Sequence, residues 1–84
     1  MPDVINIGNQ TQESIIPILR EIGIKQCKIR QCVGLWDGVM EDAVEVIVYD
    51  MATPRLLDKL SWRLKTEKAF AVNENVWMNP RYET

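Results

Sequence analysis

Eighty-four residues suffice for one modest hydrophobic core and not for two. Apolar residues make up 46% of the chain and charged ones 26%, ordinary globular proportions that point away from a disordered tail or a membrane protein. A net charge of −2 argues against a dedicated nucleic-acid binder, whose domain would be distinctly basic, and the lack of histidine removes the commonest general base.

The uncharged apolar run from Ser14 to Leu19 falls far short of the ~20 apolar residues of a membrane span. Met1-Pro2-Asp3 has neither the basic segment nor the apolar stretch of a secretory signal, so a cytoplasmic address is expected. Cys27 and Cys32 are the only thiols, and without histidine they cannot build a four-ligand structural zinc site. No metal and no cofactor is expected. The charge is unevenly placed: Asp37 to Asp50 carries five acids and no base, whereas Arg55 to Lys68 carries five bases and two acids.

In chain order, Val4 to Gly8 reads as a first strand. Ile15, Ile18, Leu19 and Ile22 then have the i, i+3, i+4, i+7 spacing of a helix with one buried face, and Gly23 supplies its C′ stop. Pro17 constrains the start. With Ser14 as N-cap the proline falls in the first turn, where its missing N–H has no intrahelical partner; a start nearer Asn9 implies a kink.

Asp37-Gly38 lies between two β-rich runs and predicts a hairpin, because a type I′ turn needs positive φ at both central residues. A two-residue loop there sets Trp36 opposite Val39, so the numbers of opposed residues sum to 75. One face then receives Cys27 with Val48, Ile29 with Val46 and Leu35 with Met40, with Gln31 beside Val44 as a polar intrusion and Val33 beside Asp42. That face is predicted to be core. The other receives Gln26 with Tyr49, Lys28 with Ile47, Arg30 with Glu45 and Cys32 with Ala43. A one-residue slip would undo the Arg30–Glu45 pair and turn the apolar set outward. A bulge at Gly34 would shift the register near the tip.

Thr53-Pro54 reads as N-cap and N1 of a second helix, whose buried stripe is Leu56, Leu57, Leu60 and Leu64. Trp62 points away from that stripe. Lys68 to Val72 is a last strand with Phe70 and Val72 inward, followed by a turn at Asn73 to Asn75. Val76-Trp77-Met78 reads either as a short extension that packs back or as a sticky tail. Residues 1–78 are expected to form one domain, and Asn79 to Thr84 to fray.

The order βαββαβ with short connections predicts an α+β, ferredoxin-like sandwich, a four-stranded antiparallel sheet with both helices on one face and the other face open. This order, with "LREIGIKQCKI" returning the chain from helix to second strand, resembles the ferredoxin-like superfamily, including regulatory domains of the ACT type. In those domains the first loop carries a Pro-Gly-like ligand element; here it is Asn9-Gln10-Thr11-Gln12. The compactness also resembles small accessory proteins of phages and mobile elements.

Several groups are candidate sites. Trp36 at the hairpin tip is an aromatic anchor, since tryptophan is over-represented among binding hot spots. Asp37, Glu41, Asp42 and Glu45 supply hard-cation oxygens, but strand parity sends Glu41 and Asp42 to opposite faces, which favours a solvated acidic rim. Cys27 and Cys32 also face oppositely and cannot bridge. Cys27 is then a core residue, and Cys32 a thiol on the open face. That face, with Lys28, Arg30, Ile47 and Tyr49, suits self-association better than RNA, because it has one aromatic and an acid among its bases. On the second helix Arg55, Lys59, Arg63 and Lys65 frame Trp62, as a docking surface for an acidic partner would.

The expectation is therefore a non-enzymatic protein-binding, regulatory or inhibitory module that acts as a homodimer. Its expected contacts are Trp36, Ile47, Tyr49 and Trp62, with Arg55, Arg63 and Lys65 setting charge complementarity. The alternative is an ACT-like ligand-sensing domain with a pocket between subunits near Asn9 to Ser14. RNA binding or thiol chemistry at Cys32 comes third.

Overall fold

A computed structural model describes residues 2–83, leaving Met1 and Thr84 outside the described residues. The elements are β1 (Asp3–Gly8), α1 (Gln12–Glu21), β2 (Cys27–Trp36), β3 (Val39–Val48), α2 (Thr53–Arg63), β4 (Ala69–Val72) and β5 (Asn75–Met78). All strands pair antiparallel in the order β2-β3-β1-β4-β5, the ferredoxin-like order with a fifth strand added outside β4. Val76-Trp77-Met78 is thus a sheet strand, and the sheet has five strands rather than four.

The core forms because alternate strand residues project to one side. Ile5, Ile7, Val44, Val46, Val48 and Phe70 meet Ile15, Leu19, Leu56, Leu57 and Leu60 from the two helices and Ile22 and Leu64 at their C-caps, all buried. Both helices therefore cover one face. The odd residues of β1 and even residues of β3 coincide there because β1 pairs with β3 as Ile5 with Val46 and Ile7 with Val44.

Helix α1 starts not at Ser14 but nearer Asn9, the second of the two expected starts. Thr11 is the N-cap and Ser14 the N3 residue of a capping box, each side chain bonding the other's main-chain N–H. Pro17 consequently lies inside the helix, on its exposed side. The C-terminus follows expectation: Gly23 takes φ 93°, its N–H bonds the Arg20 carbonyl, and the Ile24 N–H bonds that of Leu19, a Schellman stop. Helix α2 is capped by Ala52, not Thr53, and has no side-chain cap bond. The Thr53 hydroxyl donates instead to Asp3 at the start of β1.

The central hairpin has the predicted register through all ten pairs, from Cys27–Val48 to Trp36–Val39, with no bulge. Gly34 serves another purpose. A Cβ there would stand 2.5 Å from Nε1 of Trp36, so the glycine lets the indole lie against the strand. Gly8 likewise makes room for Glu41, whose Oε1 would be 2.6 Å from an added Cβ.

The predicted core face of this hairpin is only half core. Val44, Val46 and Val48 are buried and Ile29 half-buried, but Leu35 is 66% and Met40 71% exposed, and Val33 is also exposed. Strand length explains the difference. β2 and β3 have ten residues each, about 33 Å, whereas β1 has six and the ten residues of α1 rise only about 15 Å. Pairs 33–42 to 36–39 run past Gly8 and have no layer above them.

Residues 79–83 carry anchoring that the sequence does not announce. The buried Asn79 amide donates to the carbonyls of Leu64 and Glu67, its main-chain N–H bonds Lys68, and the Glu83 N–H bonds Lys65. The expectation of fraying, as it concerns Thr84, lies outside the described residues.

Candidate functional site

The seven expected contact residues fall on two opposite layers. Ile47 and Tyr49 belong to the open side of β3 and its end, half-buried and exposed respectively, with Lys28 directly across from Ile47. Trp36 shares that side but sits at the far end of the hairpin, leaning on Gly34. Trp62, Arg55, Arg63 and Lys65 lie in the helix layer. The sheet separates the two groups, so they do not form one surface.

In the helix layer most of the basic frame is already engaged. Arg63 pairs with Glu21 of α1, Lys65 with Glu83 at 3.5 Å, and the Lys59 ammonium donates to the last-turn carbonyl of Ile22 at 3.1 Å. Lys59 thereby meets the negative end of α1. Trp62 is exposed, yet Arg81 lies 4.2 Å and Lys65 5.2 Å from its ring centroid. Arg81 is itself held by Asp58 and by the hydroxyl of the buried Ser61. The cations around Trp62 therefore bind the last residues of the chain to α2. Arg55 alone of the expected four bases makes no ion pair or side-chain hydrogen bond among the described residues.

The loop from Asn9 to Ser14, expected to line a ligand pocket in the ACT-like alternative, engages several of its polar groups with one another and with Gln31. The Ser14 hydroxyl donates to Gln10, the Gln31 amide donates to the carbonyls of Gln10 and Ala43, and Gln31 Oε1 accepts the N–H of Gln12. Gln31, the polar intrusion in the hairpin pattern, thus satisfies a free N–H in the first turn of α1.

The open side of the sheet is paved with small residues near its centre: Gly8, Ala43, Ala69 and Ala71. A groove of about 380 Å³ lies over Gly8, Ala69 and Ala71, walled by Trp36 and Val76, with Asn6, Glu41 and Glu67 at its edges. Burial pushes the Glu67 carboxyl up from its ordinary value; an Asn9 hydrogen bond opposes this and the charge of Glu41 adds to it. Arg30 and Glu45 form the expected pair at 3.6 Å across β2 and β3.

Both thiols are free and half-buried. Burial, followed by the charge of Asp50, pushes the Cys27 thiol up, which disfavours its nucleophilic form. The Cys32 thiol donates to the Ala43 carbonyl at 3.4 Å. Among the described residues no three His, Cys, Asp or Glu side chains are grouped to hold a metal ion, and no helix is long and apolar enough to cross a membrane.

What the sequence reading missed is the apolar overhang: Val33, Leu35 and Met40 on the helix side and Val39 beside Trp36 on the open side, all exposed. The available signal was length, since two ten-residue arms cannot both be covered by a five- or six-residue first strand. Comparison of the chain with protein-family models, with curated proteins and with solved structures finds no match.

Proposed function

We propose that this chain works by protein–protein contact rather than by chemistry, as a regulatory or inhibitory module that self-associates. One observation carries the reading. Val33, Leu35, Trp36, Val39 and Met40 are each more than half exposed on a single projecting hairpin. Scattered surface apolar residues are ordinary, but five gathered at the end of one rigid arm, three on one face and two on the other, are the mark of an interface. The hairpin supplies the rigidity through its unbroken ladder, so an arm that docks loses little conformational freedom in doing so.

The experiment is a pair of substitutions on the arm, Leu35→Ser and Met40→Ser together, compared with the parent chain by sedimentation velocity over a concentration series. The expected result is loss of association with an unchanged far-ultraviolet circular dichroism spectrum. Association that persists undiminished would remove the arm from the contact surface. Tyr49→Ala and Trp62→Ala serve as further probes. Trp62→Ala is expected to loosen residues 79–83 before it affects any partner, since Arg81 rests on that ring.

A further inference from the structure

We propose that the free edge of β2 pairs antiparallel with the same edge of a second copy, about a two-fold axis at Cys32, joining two five-stranded sheets into one. The inference rests on the contact reading above and names its partner and register.

β2 is terminal in the sheet, and its ten-residue edge contains no proline and no bulge, the usual devices that protect an edge. Its main-chain groups alternate in direction. A two-residue I′ loop closes on a hydrogen-bonded pair, here Trp36–Val39, so the even residues of β2 bond inward to β3. The Tyr49 N–H bonding the Gln26 carbonyl continues the same alternation. Ile29, Gln31, Val33 and Leu35 therefore turn their N–H and C=O groups outward. The opposite edge, β5, has four residues and offers less than half that ladder.

The two-fold register makes the side chains complementary. With Cys32 opposite its own copy, Leu35 meets Ile29, Val33 meets Gln31, Trp36 meets Lys28 and Gly34 meets Arg30 of the second chain. The overhanging, exposed half of each β2 thus covers the half-buried half of the other. Lys28 and Arg30, the two charges that would otherwise guard this edge, face an indole and a glycine instead of each other, and an ammonium over an indole is attractive. The outward residues supply about eight main-chain hydrogen bonds across the axis.

Cys32 occupies a non-hydrogen-bonded position of the new ladder, where opposed Cα atoms are about 4.5 Å apart, within disulfide range. That makes the native thiol a reporter. The full chain and its Cys27→Ser and Cys32→Ser variants are treated with copper phenanthroline, which oxidises two thiols to one disulfide as copper(II) is reduced. A covalent dimer is expected from the parent and from Cys27→Ser but not from Cys32→Ser. Val33→Pro deletes one outward N–H without touching the bonds to β3, and is expected to weaken self-association about tenfold or more while keeping the parent circular dichroism spectrum. Leu35→Lys replaces it should the proline disturb folding. A dimer that ignores both variants, or whose Cys32 thiols fail to join, overturns the edge pairing and leaves association by another surface. A chain that is monomeric at every concentration overturns edge pairing and self-association together.

Discussion

Two hairpins of this protein turn on the same backbone geometry and end in opposite circumstances. Asp37 and Gly38 have φ of 49° and 76°, Asn73 and Glu74 have 48° and 70°, and both pairs close two-residue loops of the I′ kind. The first hairpin projects, with apolar residues bare on both faces at its end. The second is fastened down. Phe70 is buried and stacks on Trp77 with ring centroids 5.6 Å apart, and Asn73 bonds the first strand three ways, through its N–H to the Val4 carbonyl, its Oδ1 to the Val4 N–H and its amide to Asp3. Turn chemistry reverses a chain, but what lies over the arms decides which of their faces is buried.

The contrast can be broken at several points. Phe70→Ala, on the fastened hairpin, is expected to cost about 3–5 kcal/mol in urea unfolding, enough to threaten a domain of this size. Asn73→Ala removes the left-handed tolerance of the turn together with its bonds to β1, and a loss of about 1–3 kcal/mol is expected in the same measurement. Glu74→Gly should go the other way, raising stability by about 0.5–1 kcal/mol, because glutamate holds a left-handed conformation that glycine adopts without strain. If Glu74→Gly proves destabilising, the second turn is not shaped as described.

A pH titration separates two carboxylates of opposite behaviour. The Thr53 hydroxyl, and then the Asn73 amide, hold the Asp3 carboxyl below its usual range. A lowered folded value means a contribution that is present above the unfolded pKa and lost as pH falls through the folded one. Glu67, pushed up by burial, contributes stability below its unfolded pKa and loses it as pH rises through the folded value. Asp3→Asn should flatten the acid side of the stability curve, and Glu67→Gln should lift melting temperature slightly at neutral pH. The smallest effect belongs to the projecting arm. Leu35→Ala is expected to change monomer stability by less than about 0.5 kcal/mol, and a larger loss would mean that the overhang is covered within one chain.

What could be read from the sequence was whatever local chemistry decides. Asp37-Gly38 specified the ten-pair register, and Gly23 specified the end of α1, because each depends on a residue that tolerates positive φ. The fifth strand was not legible as a strand: Asn73-Glu74 has no glycine, and Val76-Trp77-Met78 gains a meaningful alternation only once Trp77 is set opposite Phe70. Thr53 looked like a cap, but its hydroxyl is claimed by Asp3, fifty positions away. The basic frame of Trp62 was recognised in part. That Lys59, Arg63 and Lys65 are occupied by Ile22, Glu21 and Glu83 follows only from helix packing and from the path of residues 79–83. Exposure of Leu35 and Met40 is likewise a matter of how far one strand outruns another.

The place of β1 in the sheet has a consequence for how the chain acquires its shape. This central strand precedes both of its neighbours, pairing with Ala43–Val48 on one side and with Ala71 and Val72 on the other. A chain emerging from the ribosome therefore carries Ile5 and Ile7 unsheltered until β3 has been made, and the second flank stays vacant until β4 follows. Such long closures slow assembly, since the entropy of bringing distant segments together is lost before the contacts form. The hairpin of β2 and β3, whose partners are sequence neighbours, is the natural first platform on which β1 is laid.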